Sequence, residues 1–373
     1  MEEIHYQSLV RHACEETKRR TGEDEFPQKK IRTHDKNCYF CRRKQNQRQM
    51  AKAKEVLKYS LSLALAVLLV WFAFRSVDWT AFLAGLKQTR WGYLFPFFAA
   101  SVGALVLRAF RWQALLKSAG HRCGWLTVWD ANNVGNLANV AIPGSGEILR
   151  CGYVAGRNGF ADVLGTAVME RAWDVVAVFL LIVLALVLDR GKFGPFFAEQ
   201  VWEPLSSGID FPLWWLLALL VLLIAAGLWA VFRFRLRSRL CARIANALIS
   251  IGKGFASFRG LERKGLFLLY TAGIWTMYLL MCFSMQKAVP DLTGLGLEDA
   301  LFFTAVGNIA SVIPVPGGIG AYHYLVALSV SSIYGRSWET GILFATLQHE
   351  LHAVLILFLG VLSYVRLTLR TRK

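Results

Sequence analysis

Charged side chains are scarce in this sequence. Asp, Glu, Lys and Arg make up 18% of its 373 residues, against about 25% in an average soluble chain. Polar interruptions are scarce as well: apolar runs of about 20 residues recur, and the mean hydropathy is +0.41. That pattern excludes an ordinary soluble domain and leaves a polytopic membrane protein. Cysteine occurs in an odd number, seven, at Cys14, Cys38, Cys41, Cys123, Cys151, Cys241 and Cys282, so no disulfide framework is implied. Residues 1–50 lack the apolar core and small-residue cleavage pattern of a secretory signal, and they read as a polar, disordered cytoplasmic tail. G-x-S-x-G elbow, P-loop and dinucleotide fingerprint are all missing, and no cofactor is expected.

What is present is positive charge, +17 in total. Outside the tail, Lys and Arg sit mostly in short segments between apolar runs, which points to membrane topology and anionic lipid headgroups at the cytoplasmic face, not to nucleic acid. Spanning windows fall at about 57–76, 92–116, 162–188, 213–232, 265–287 and 340–365, six crossings with both termini on one side. Lys52, Lys54 and Lys58 precede the first run; Arg108, Arg111, Lys117 and Arg122 follow the second; Arg233, Arg235, Arg237, Arg239 and Arg243 follow the fourth. With Arg366, Arg370, Arg372 and Lys373, these place both termini in the cytoplasm of a multi-pass cell-membrane protein. The basic segment 236–264, apolar at every third or fourth position, suits an amphipathic helix on the cytoplasmic leaflet or a cap on the bundle.

Two stretches remain, 123–161 and 288–339. Each holds two modestly apolar pieces around a Pro/Gly break, too short at about 1.5 Å per residue to cross a core about 30 Å thick with ease. They read as re-entrant hairpins buried in protein or lining a wet cavity, with full crossing of some pieces as the alternative. They also resemble each other. Val134-Gly135-Asn136-Leu137-Ala138-Asn139-Val140 aligns with Val306-Gly307-Asn308-Ile309-Ala310-Ser311-Val312. Both lead into a break: Ile142-Pro143-Gly144-Ser145-Gly146 in one, Ile313-Pro314-Val315-Pro316-Gly317-Gly318 in the other. The expected fold is all-α: six spans plus two half-helix hairpins entering from opposite sides, the inverted repeat that transporters build around a midplane binding site. Close packing by Gly and kinking by Pro is the plainer reading of the same residues.

Ionisable residues cluster after the first break. Glu147 and Arg150 share a helix face, as do Glu170 and Asp174, with Arg171 between them. Such charges need partners inside a membrane; they either pair among themselves or grip a charged headgroup, and both can hold. In the second half, His323 follows the break, and His349 and His352 lie in the last span. A polar interhelical network is the reading preferred there over a metal or a proton sensor, and no metal is assigned. In the tail, His12, Cys14, Cys38 and Cys41 form only a weak zinc pattern. The run from Met50, MAKAKEVLK, reads as a basic lead-in to the first span and a candidate true start.

Asn136 followed by Pro143-Gly-Ser-Gly-Glu147-Ile-Leu-Arg150, then Glu170-Arg171-Ala-Trp-Asp174, then Pro314-Val-Pro-Gly-Gly318-Ile-Gly320, resembles the flippase-like transmembrane region of lysylphosphatidylglycerol synthases over about residues 51–366. The resemblance implies lipid handling. In relatives that transfer lysine, the chemistry belongs to a separate soluble domain, for which no room remains after Arg366. The sequence departs from the pattern at His323, where many relatives carry Glu. The expected function is therefore translocation of a polar phospholipid or polyprenyl-linked lipid across a bacterial cytoplasmic membrane. Asn136, Asn139, Pro143, Gly144, Gly146, Glu147, Arg150, Glu170, Arg171, Asp174, Asn308, Pro314, Pro316, Gly317, Gly318, Gly320, His323 and His349 are the candidate substrate-binding residues. Two alternatives stay open, an intramembrane lipid-modifying enzyme and a non-transporting scaffold for envelope lipid synthesis. Oligomeric state is not legible.

Overall fold

The structure, a computed structural model, describes residues 67–155, 159–203, 258–310 and 318–371, with isolated positions elsewhere. Among the described residues it is helical without strands. The tail with its Cys/His pattern and most of the 213–232 window and of the 236–264 segment lie outside them. The helices are α1 (Val67–Phe74), α2 (Trp79–Gln88), α3 (Leu94–Ser118), α4 (Trp125–Ala141), α5 (Ser145–Val154), α6 (Phe160–Leu188), α7 (Arg190–Phe197), α8 (Lys264–Ala288), α9 (Leu297–Ala310), α10 (Ala321–Tyr334) and α11 (Trp338–Thr371).

Among the described residues, four helical segments are long and apolar enough to cross a membrane: Trp91–Ser118, Phe160–Leu188, Lys264–Ala288 and Trp338–Leu369. They fall on four of the six expected windows. The first window ends differently, because α1 meets α2 at an angle of 83°. Asp78 makes that corner, its carboxylate accepting from the Thr80 and Ala81 amides and so capping α2. α6 buries little of itself: Val175, Phe179, Leu180 and Val187 are exposed, as expected of a surface solvated by lipid.

Between the long helices lie two pairs of shorter helices, where the hairpins are expected. α4 and α5 have 17 and 10 residues, and α9 and α10 have 14 each, all short of the roughly 20 needed to span. Pro143 accounts for the first break. It forces its predecessor Ile142 into extended backbone, φ −138° and ψ 109°, where the helix stops. Gly144 then takes φ 77° and α5 starts at Ser145.

Packing relies on small residues, since lipid tails compete for apolar surface and close approach has to supply the attraction. α3 against α8 is the most extensive interface. There Gly103 faces Met277 and Gly273 faces Leu107, each so close that a Cβ would come within 3.0 Å. α4 lies along α11, and α9 along α6. This pattern of neighbours is preserved when α3, α4, α5 and α6 are exchanged with α8, α9, α10 and α11.

Candidate functional site

The aligned glycines do the same thing in both hairpins. A Cβ on Gly135 would come 2.9 Å from the Gly146 carbonyl oxygen and 3.1 Å from Arg150 Cβ, and one on Gly307 would run into the Tyr322 ring. In each case a glycine on the first helix of the pair lets the second lie against it, which accounts for the glycine of the Val-Gly-Asn motif. Asn139 locks the first hairpin further. Its Oδ1 accepts from the Gly146 amide at 2.8 Å, and its Nδ2 donates to Glu147 Oε2 at 3.3 Å.

α5 carries Arg150 inward to α6. Arg150 Nη2 lies 2.7 Å from Glu170 Oε2, and Nη1 donates to Asn132 Oδ1 at 2.8 Å. Its guanidinium sits 4.5 Å from the Trp112 ring centroid, a cation–π contact strengthened by burial. The other Glu170 oxygen is taken by Arg111 of α3, at 3.0 Å, and Arg111 also reaches Asp174 Oδ1 at 2.8 Å. Arg171 pairs with Glu147 at 2.7 Å and Asp174 at 3.6 Å. Arg111, Arg150 and Arg171 thus pair with Glu147, Glu170 and Asp174, three cations with three carboxylates, in a place where an unpaired charge is costly. Arg171 is the member with an open side, its side chain 42% exposed. Behind the network, Trp112, Leu116, Val128, Cys151, Val163 and Ala167 form a dry cluster.

Arg108 and Arg111 correct the sequence reading, which counted both as loop charge. They belong to the last turns of α3; Arg111 is fully buried, and Arg108 Nη1 donates to Tyr278 Oη at 3.2 Å. A positive residue at the end of an apolar window looks the same in sequence whether it leaves the membrane or turns inward. The excess of carboxylates in the Glu147, Arg150, Glu170, Arg171 and Asp174 group was the signal that a further arginine was needed. Asp130 was missed too. It is buried on α4 and lies 3.3 Å from Arg366, while its neighbour Asn133 donates to Ser363 at 3.3 Å; these contacts fasten the first hairpin to α11. Asn136 stands half-buried on the same helix, outside the ion network.

In the second half, Gly318 and Gly320 take φ 76° and 85°, values that favour glycine. A Cβ on Gly320 would press on the backbone of Leu69 and Val70 in α1. Asn308 donates to the Thr304 carbonyl at 2.8 Å. Pro314, Pro316 and Gly317 lie outside the described residues. His323 is buried at the start of α10, with its ring centroid 5.3 Å from that of His349. Beside these two stands Glu350; His352 is not a member of the group.

Compared with known families, residues 59–360 match the model described as the lysylphosphatidylglycerol synthase TM region. No curated protein and no solved structure matches the chain.

Proposed function

Because the chain belongs to the lysylphosphatidylglycerol synthase transmembrane-region family, we propose that it moves a polar phospholipid or polyprenyl-linked lipid from one leaflet to the other without altering it chemically. The observation that carries this reading is the ion network joining α3, α5 and α6, its three arginines matched to three carboxylates and its Arg171 side chain 42% exposed. Arg171 meets Glu147 through Nε and Nη2 and approaches Asp174 through Nη1, so a lipid phosphate, matching the guanidinium in shape and charge, would be received by exchange with these carboxylates. The Gly144–Gly146 break starts α5 beside it, adding the positive end of a helix.

Six crossings and an inverted repeat belong to the same proposal. The exchange of neighbours between the halves supports it, as do contacts that gather the expected outer loops: Asp291 with Thr340, Asp78 with Glu339, and Lys192 with Asp299. In this arrangement the first hairpin opens to the cytoplasm, the second opens outside, both termini are cytoplasmic, and a headgroup is received where the hairpins approach the midplane.

The test is reconstitution of the purified protein in vesicles with a fluorescent-headgroup phospholipid, read by reduction of the outer-leaflet label. Wild type is expected to move lipid, and Arg171→Gln, which leaves the Arg111–Glu170 and Arg150–Glu170 pairs in place and whose folding is checked by size-exclusion profile, to lose most of that activity. Recovery of a chemically altered lipid would establish the lipid-modifying enzyme instead. Vesicles carrying folded wild type that neither move nor alter lipid would leave the scaffold. An Arg171→Gln protein as active as wild type would remove the network from headgroup recognition.

A further inference from the structure

We propose that His323, His349 and Glu350 form a binding site for a divalent first-row metal ion, Zn2+ by its donor set, at the second hairpin. One ligand atom from each residue lies within 4.8 Å of the others. Glu350 Oε1 is 2.9 Å from His349 Nδ1 and 3.7 Å from His323 Nε2. An ion bound at about 2.0–2.2 Å in tetrahedral geometry spaces its ligands by about 3.4 Å, so small side-chain rotations suffice to admit it. Two imidazole nitrogens and one carboxylate oxygen suit Zn2+ and disfavour Mg2+ or Ca2+, which take oxygen.

Charge argues in the same direction. Among the described residues, the ion-pair partners of Glu350 are the two imidazoles, and no Lys or Arg is among them. A carboxylate in the middle of a membrane helix needs a cation, and a divalent ion bridging all three side chains meets that need. His323 is 1% exposed and turns its Nε2 toward Glu350, so the ligating nitrogen is held away from bulk solvent. The surroundings are preorganised. Phe74 packs on His323 at 5.5 Å between centroids and Tyr322 on His349 at 5.1 Å, holding the rings, while the positive-φ glycines Gly318 and Gly320 bring the chain round so that His323 opens α10 facing α11. Three protein ligands leave a tetrahedral ion one position for water or an anionic oxygen.

The experiment uses the full chain purified without a histidine tag, in a background carrying Cys14→Ser, Cys38→Ser and Cys41→Ser so that the tail contributes no thiolate. Metal content is measured by mass spectrometry, and Co2+ is titrated into the stripped protein to read the visible band of a tetrahedral site. One equivalent of metal and a saturable band are expected. Glu350→Gln and His349→Ala should lose the band at Co2+ concentrations that saturate the parent, and His352→Ala should keep it. Glu350→Gln is nearly isosteric, so its folding, checked by size-exclusion profile, guards against a loss caused by unfolding. A folded parent that binds no metal, or variants that bind as the parent does, would overturn the site and leave the three side chains as a hydrogen-bonded group.

Discussion

The Arg111 guanidinium lies 3.0 Å from the Glu170 carboxylate, and neither side chain has any exposure. This pair joins α3 to α6 at the level where α5 comes in with Arg150, so removing Arg111 leaves Glu170 and Asp174 short of a cation. Arg111→Ala is expected to destabilise the fold by about 3–5 kcal/mol, seen as a lower melting temperature and yield in detergent. Arg111→Lys should fall between, because a single ammonium cannot copy a fork that reaches two carboxylates. An alanine variant that melts with wild type would show that Arg150 alone neutralises Glu170.

Gly146 and Gly152 sit on the same short helix and should respond oppositely to alanine. A Cβ on Gly146 collides with the Gly135 carbonyl and the Asn139 side chain, whereas one on Gly152 meets nothing within 4 Å. Gly146→Ala is expected to cost about 1–3 kcal/mol or prevent folding, and Gly152→Ala to be neutral or stabilising by about 0.5–1 kcal/mol. Thermal melts of the two proteins side by side decide it; equal stability would mean that the hairpin is not held by backbone contact.

Asp299 is nearly buried and receives Lys192, the Tyr334 hydroxyl at 2.7 Å and the Gly296 amide at 2.8 Å. It therefore ties α7 and α10 to the start of α9. A double-mutant cycle of Lys192→Met and Asp299→Asn should give a coupling of about 0.5–3 kcal/mol. Additive effects would reduce the contact to proximity.

Topology is checked by single cysteines in a cysteine-free chain. Labels at Asp210 and Asp291 should react with an impermeant maleimide from outside, and one at Ser257 only after permeabilisation. Labelling of positions 210 and 291 from opposite faces would break the six-crossing arrangement.

The break positions were legible in the sequence because Pro143, Gly144, Gly318 and Gly320 act through their own backbone: a missing amide hydrogen, a restricted predecessor, a positive φ. The repeated Val-Gly-Asn motif was legible as a pattern, but its purpose emerged only with Gly135 seen against Gly146 and Gly307 against Tyr322. Glu147, Arg150, Glu170, Arg171 and Asp174 were rightly grouped, since ionisable residues in apolar surroundings must find one another. Arg111 escaped because its partner Glu170 is 59 residues away and its own position at the end of an apolar window suggested a loop. His349 and His352 were visible as histidines of one span, yet it is Glu350 that meets His323.

By itself the sequence determined that this protein lives in a membrane, where four of its long helices run and that the chain breaks at Pro143, because apolar run length against bilayer thickness and the local chemistry of Pro and Gly are properties of neighbouring residues. Tertiary structure decided which charges meet, that α4 lies on α11 and α9 on α6, and that two histidines share a carboxylate. Those outcomes depend on how helices far apart in the chain are brought side by side. In a medium that cannot solvate ions, each buried charge is settled by whichever oppositely charged group the packing delivers, and no periodicity within one helix records that choice.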